Sequence, residues 1–186
     1  KYNSSGTKQW TKQLGTSSSD YGYGVTTDSS GYIYVTGWTY GDLDGNTNSG
    51  GKDIFLVKYN SSGTKQWTKQ LGTSSSEEGY GVTTDSSGNI YVTGYTDGDL
   101  DGNTNSGNYD IFLVKYNSSG TKQWTKQLGT SDNDSGLGVT TDTSDNIYVT
   151  GLTQGGLDGN TNSGSYDMFL VKYNSSGTKQ WTKQLG

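Results

Sequence analysis

The sequence predicts an all-β chain, a β-propeller-type array of four-stranded antiparallel blades. Three observations lead there. The stretch Lys1–Gly15 returns letter for letter at Lys58–Gly72, Lys115–Gly129 and Lys172–Gly186, each start 57 residues after the last. A fixed long period marks a repeat architecture. Each period holds four short runs rich in β-branched and aromatic residues, separated by turns of Asp, Asn, Ser and Gly, and four strands per unit is the pattern of a propeller blade. No segment sustains the apolar spacing of a helix.

The chain divides into units at residues 16–72, 73–129 and 130–186, preceded by residues 1–15, a surplus copy of the unit's last strand. In the first unit, Tyr21-Gly22-Tyr23-Gly24-Val25-Thr26-Thr27 is a short Gly-rich strand. Gly weakens a strand unless another backbone comes close, which suits the innermost strand of a blade. Asp28-Ser29-Ser30-Gly31 is a tight turn, Asp opening it and Gly supplying positive φ. Ile33–Trp38 is the second strand. Asp42–Gly51 is a loop, and Asp53–Tyr59 is a third strand, apolar on both faces as a strand covered on both sides should be. After Asn60-Ser61-Ser62-Gly63, a second turn, Thr64–Leu71 is the fourth strand. Its Lys65, Trp67, Lys69 and Leu71 share one face. Lys stems lie along apolar surface with wet ammonium groups, and charge guards an edge against stray pairing. Both place this strand outermost, with Trp10, Trp67, Trp124 and Trp181 as structural residues closing the core.

Composition narrows the function classes. Leu, Ile, Val and Phe make up about 16% of 186 residues, but 15 Tyr and 5 Trp supply apolar surface and the net charge is only −5. Each buried aromatic removes roughly 150–250 Å² from water, so the expected core is thin and aromatic. With no Cys and no His, disulfides and the usual zinc ligands are absent. The acidic balance argues against nucleic acid. No apolar run approaches the ~18 residues of a membrane span.

Asp85-Ser86-Ser87-Gly88-Asn89-Ile90-Tyr91-Val92-Thr93-Gly94, Leu100–Gly107 and Asp110–Tyr116 resemble the bacterial SBBP family of β-propeller repeats, and the resemblance covers every unit. It implies a propeller-like fold on a secreted or cell-surface bacterial protein, with no transferable enzymatic activity. Asn3-Ser4-Ser5-Gly6 through Trp10 also resembles the turn-and-tryptophan docking motif of quinoprotein propellers, which implies a blade role for the Trp. Three blades are fewer than the ~4–8 of a typical propeller. The fourth-strand sequence occurs four times and the other strands three, thirteen in all. The surplus strand, Thr7–Leu14, therefore lacks neighbours of its own, and an isolated chain is expected to join other copies or other blades of a longer chain.

Two sets of residues are candidate sites. Asp42, Asp44, Asn46, Asn48 and Asp53, with Asp99, Asp101, Asn103, Asn105 and Asp110 in the second unit, present oxygens at alternate positions, Asp53 being twelfth from Asp42. Calcium takes six to eight oxygens from such loops. The pattern departs from an EF-hand at Thr47, where Gly belongs, and the third unit has Gly156 in place of Asp42. The alternative is an Asx/Gly loop whose side chains bond their own backbone. The second set comprises positions that differ between otherwise fixed units: Tyr21, Trp38, Tyr40 and Lys52 in the first, Tyr95 and Tyr109 in the second, Tyr166 in the third. Clustered on one rim, aromatics with polar tips suit a carbohydrate or protein surface. The alternative is drift at surface positions. The Asn-Ser-Ser triplets at Asn3, Asn60, Asn117 and Asn174 match a glycosylation acceptor but stand in turns that favour Asn regardless.

Catalysis is not expected, because no His titrates near neutrality and the acidic pairs recur from unit to unit. The reading is a non-enzymatic structural or interaction module, assembling into a ring or filament. The rival is a lectin-like propeller binding glycans through Trp38, Tyr40 and Tyr95.

Overall fold

A computed structural model describes all 186 residues, Lys1–Gly186. Twelve strands form three four-stranded antiparallel sheets. Blade 1 contains β1 (Asp20–Thr27), β2 (Ile33–Thr39), β3 (Asp53–Tyr59) and β4 (Lys65–Leu71). Blade 2 contains β5 (Glu77–Thr84), β6 (Ile90–Thr96), β7 (Asp110–Tyr116) and β8 (Lys122–Leu128). Blade 3 contains β9 (Asp134–Thr141), β10 (Ile147–Thr153), β11 (Asp167–Tyr173) and β12 (Lys179–Leu185). Each sheet is a meander in chain order, and β5 packs against both β1 and β9. The first strands therefore line the inside of the arc and the fourth strands its outside.

Local chemistry sets the turns. Asn60 Oδ1 accepts hydrogen bonds from the backbone N–H of Ser62 and Thr64, and Gly63 follows at φ 82°. Asp28 Oδ1 does the same for Ser30 and Tyr32, while its Oδ2 accepts from the Tyr34 hydroxyl at 2.9 Å. Burial, then that bond to a carboxylate, pushes the Tyr34 hydroxyl pKa far up. The side chain thus stays a neutral donor.

The core lies between blades. One cluster joins Tyr34, Ile54 and Leu56 of blade 1 to Val82, Val92, Leu100, Phe112 and Val114 of blade 2. A second repeats it one blade on, with Tyr91, Ile111 and Leu113 against Val149, Leu157, Phe169 and Val171. A single sheet has no interior of its own, so the third strand of blade 2 buries Phe112 and Val114 against blade 1 and Ile111 and Leu113 against blade 3. Close approach at the axis explains a glycine: a Cβ on Gly24 would lie 2.6 Å from the Tyr80 carbonyl oxygen.

One expectation needs correction. Residues 7–14 form no strand; the N-terminal copy makes only a Tyr2–Lys8 bridge. In the next copy this sequence pairs with the third strand, as β4 does with β3, and residues 7–14 make no such ladder. The repeated tryptophans close the core at the seams, Trp67 packing on the first inter-blade cluster and Trp124 on the second. Trp67 is half-buried, its centroid 6.2 Å from Tyr34, and its ring lies against Gly120 of the next blade. Trp124 lies against Gly177 likewise, whereas Trp181, with no following blade, is 37% exposed.

Candidate functional site

The Asp/Asn loops spend their oxygens locally. Leu43–Gly45 is a single 3-10 turn with Asp44 at φ 57°. Asp42 Oδ1 accepts from Asn48 N at 2.8 Å, and the Asp44 carboxylate is held by Lys65 and Thr68. The Asn46 amide donates to Leu43 O, and the Asn48 amide to Gly51 O and Thr39 O. Asp53 is fully buried, its Oδ2 accepting from Ser49 N and Gln70 Nε2. In blade 2, Asp99 accepts from Asn105 N, Asp101 pairs with Lys122 and Thr125, Asn103 donates to Leu100 O, and Asp110 accepts from Ser106 N. No three acidic side chains converge in a metal-holding group. The calcium cage expected from spacing is not assembled; the loop is closed by its own Asp and Asn side chains and tied to the fourth strand through Asp44.

The buried Asp53 belongs to a different arrangement. A Cβ on Gly72 would meet Asp53 Oδ1 at 2.1 Å and Glu77 Oε2 at 3.0 Å, so the two carboxyls face each other across the first seam. Glu77 accepts from Thr73 N at 2.8 Å and from the Thr73 and Thr96 hydroxyls, but Asp53 Oδ1 has no partner. Asp110 and Asp134 repeat the pairing at the second seam. Burial pushes all four carboxyl pKa values up.

The rim set does come together. Tyr21 stacks on Trp38 with centroids 4.4 Å apart, and Tyr40 meets the other side of Trp38 edge-on at 5.3 Å. Lys52 Nζ sits 4.6 Å from the Trp38 centroid and pairs with Glu78 across the seam. Glu78 also accepts from the Tyr80 hydroxyl at 2.7 Å and the Tyr95 hydroxyl at 2.8 Å. Tyr95 in turn packs on Tyr109 at 4.4 Å. Beyond Tyr109 a shallow pocket of about 310 Å³ reaches Tyr166 and Leu152 of blade 3. Burial alone would raise the Glu78 pKa, but its bonds to Lys52, Tyr80 and Tyr95 hold it below the usual carboxylate range. Trp38 is buried with Nε1 unpartnered, while Tyr21 and Tyr40 stay about half exposed. Sequence reasoning missed as members Glu78, Tyr80 and Tyr23, whose ring meets Tyr80 edge-on at 5.2 Å. The signal was Glu77-Glu78, standing where the other units have Asp20-Tyr21 and Asp134-Ser135.

The arc ends in two seam faces that no blade covers. Leu152, Met168, Leu170, Trp181 and Leu185 of blade 3 are exposed, Met168 at 59% and Leu185 at 70%. The counterparts of Met168 and Leu170 at the internal seams, Ile54, Leu56, Ile111 and Leu113, are buried at 3% or less. At the other end Val25 is 68% exposed, although its counterpart Val82 is 9%. The blade 3 face is left open, whereas that of blade 1 is covered in part by the N-terminal segment, Leu14 packing on Leu43, Phe55 and Val57.

A model of the SBBP family, described as a β-propeller repeat, matches residues 9–44, 66–101 and 123–158. An uncharacterised WD repeat-containing protein, L264, of Acanthamoeba polyphaga mimivirus is 27% identical over 95% of this chain. The regulatory protein FlaEY of Caulobacter vibrioides is 27% identical over 73% of it. The chain spans 16% of the length of each. A crystal structure of a Bacteroides caccae protein of unknown function shares the fold, with TM-score 0.51 and 10% identity over 97% of this chain and 72% of that one.

Proposed function

This chain belongs to the SBBP β-propeller repeat family, and on that premise we propose that it is a non-enzymatic repeat scaffold, secreted or cell-surface, that joins other copies of itself through its two end faces. The observation that carries the proposal is the apolar seam surface left exposed at each end. Residues of the kind buried between blades recur exposed on the outer face of blade 3, as Met168 and Leu170, and Val25 stays exposed on the outer face of blade 1 beside the N-terminal segment. Exposed apolar surface of this kind marks an interaction site. A trailing face meeting a leading face is a head-to-tail contact, which closes into a ring or runs on as a filament. The WD-repeat relative is consistent with such a scaffold.

A lectin-like reading has its own support in the rim. Trp38 Nε1 lacks a partner beneath two half-exposed tyrosine faces, an arrangement that offers a sugar both a stacking surface and polar groups. Two measurements on intact protein separate the readings. The scaffold reading expects particle mass to rise from one chain towards multiples as concentration rises from micromolar to submillimolar, with no saturable hit on a glycan array. The lectin reading expects a saturable glycan hit that Tyr40→Ala abolishes. A mass of one chain at every concentration overturns assembly.

A further inference from the structure

At both internal seams the end of the third strand and the fourth strand of one blade are seated on the next blade in the same way. Lys58 Nζ donates to Ser118 O at 2.9 Å and Lys115 Nζ to Ser175 O at 3.1 Å. Trp67 lies against Gly120 and Trp124 against Gly177. Leu71 and Leu128 pack on the apolar cluster of the following blade. Residues 1–15 repeat each of these contacts on blade 1. Lys1 Nζ donates to Ser61 O at 3.0 Å, Trp10 lies against Gly63, and Leu14 packs on Leu43, Phe55 and Val57. The segment occupies the seat of a fourth strand without being one.

It fills that seat incompletely. An open groove of about 670 Å³ remains between the segment and blade 1, lined in part by Tyr21, Val25, Val35 and Phe55. At the first internal seam Ile54 and Leu56 of β3 enter the cluster formed with blade 2. Their counterparts in the last blade are Met168 and Leu170, both exposed. The sequence that would accompany them into the seat, Lys172–Gly186, is identical to Lys1–Gly15.

We propose that residues 1–15 are a displaceable plug, and that a second copy of the chain evicts it by docking its own β12 in the seat and its Met168 and Leu170 in the groove. The proposal rests on the assembly reading above. The plug has the advantage of its tether, which gives it an effective concentration on the millimolar scale. The incoming blade has the advantage of area, since it brings a whole sheet face and the plug brings one strand's worth. Self-association is thereby held to a concentration threshold set by the plug.

The test compares the parent with Trp10→Ala/Leu14→Ala by sedimentation velocity across a concentration series. Neither residue belongs to a sheet, and a far-ultraviolet circular dichroism spectrum that matches the parent's checks that the blades are folded in the double variant. The double variant is expected to associate at a concentration about tenfold or more below the parent. A synthetic peptide of the sequence Lys172–Gly186 should refill the vacated seat and return it to single chains, and adding Met168→Glu should abolish association. If the parent associates and the double variant does so no more readily, the plug is overturned and assembly stands. If neither associates at any concentration, assembly itself is overturned.

Discussion

Glu77 and Glu78 are neighbours in sequence and titrate in opposite directions. Glu77 is fully buried, and desolvation together with Asp53 raises its pKa despite three hydrogen bonds. A raised carboxyl pKa contributes stability that is present below the ordinary Glu range and lost as pH rises through the folded value. Glu78 is held below that range, mainly by Lys52 acting against desolvation. Its contribution is present at neutral pH and lost as pH falls through the folded value. Glu77→Gln should therefore stabilise the protein at pH 7 and change little at pH 4. The amide oxygen can take the Thr73 N–H while the amide donates to the threonine hydroxyls. Glu78→Gln should destabilise by about 2 kcal/mol at pH 7, the scale of a hydrogen bond to a charged group, and by less at pH 4. Denaturant midpoints at the two pH values check both; shifts of the same sign for the two variants would contradict this assignment.

Among elements, the fourth strand has its role in the next blade. Trp67→Ala should cost about 3 kcal/mol, near the low end for a large aromatic because the ring is only half-buried. Trp181→Ala should cost well under half as much, since its ring has no following turn to rest on. Equal costs would return the tryptophans to the cores of their own blades. A glycine pair isolates the docking itself. Gly6 and Gly120 share positive φ, at 77° and 79°, but a Cβ at Gly6 meets nothing within 4 Å while one at Gly120 meets the Trp67 ring at 3.0 Å. Both Ala variants carry the left-handed penalty of roughly 1–2 kcal/mol at their turn, and Gly120→Ala should lower the melting temperature further than Gly6→Ala. The strands and turns themselves were legible. Asp-Ser-Ser-Gly and Asn-Ser-Ser-Gly announce turns, and Ile54-Phe55-Leu56-Val57 announces a strand covered on both faces. Spacing was a poor guide to the Asp/Asn loop. It cannot show that Lys65 and Thr68, more than twenty residues on, claim Asp44, or that Asp53 turns into the seam.

At the scale of the whole molecule, an exact internal period made the propeller-type architecture legible, because each unit must bury its faces against copies of itself. Where the core would lie was less legible. Periodicity marks which residues are apolar, and only the stacking of sheets shows that Ile54 and Leu56 are buried by blade 2. The same stacking leaves Met168 and Leu170 uncovered at the end of the arc. The rim was half legible: its variable aromatics could be listed from one unit against another, but Glu78 and Tyr80 reach it from the next blade. The central claim is that the exposed face of blade 3 is a seam awaiting a blade, and the chain carries its own probe there. Met168 is the single methionine and stands 59% exposed on that face. Its rate of oxidation to the sulfoxide by dilute peroxide, followed by mass spectrometry, reports its access to solvent. If a second copy covers the face as blade 2 covers Ile54, the rate should fall steeply as protein concentration rises, and Trp10→Ala/Leu14→Ala should move that fall to lower concentration. An oxidation rate that stays the same from micromolar to submillimolar protein, in parent and variant alike, would contradict it.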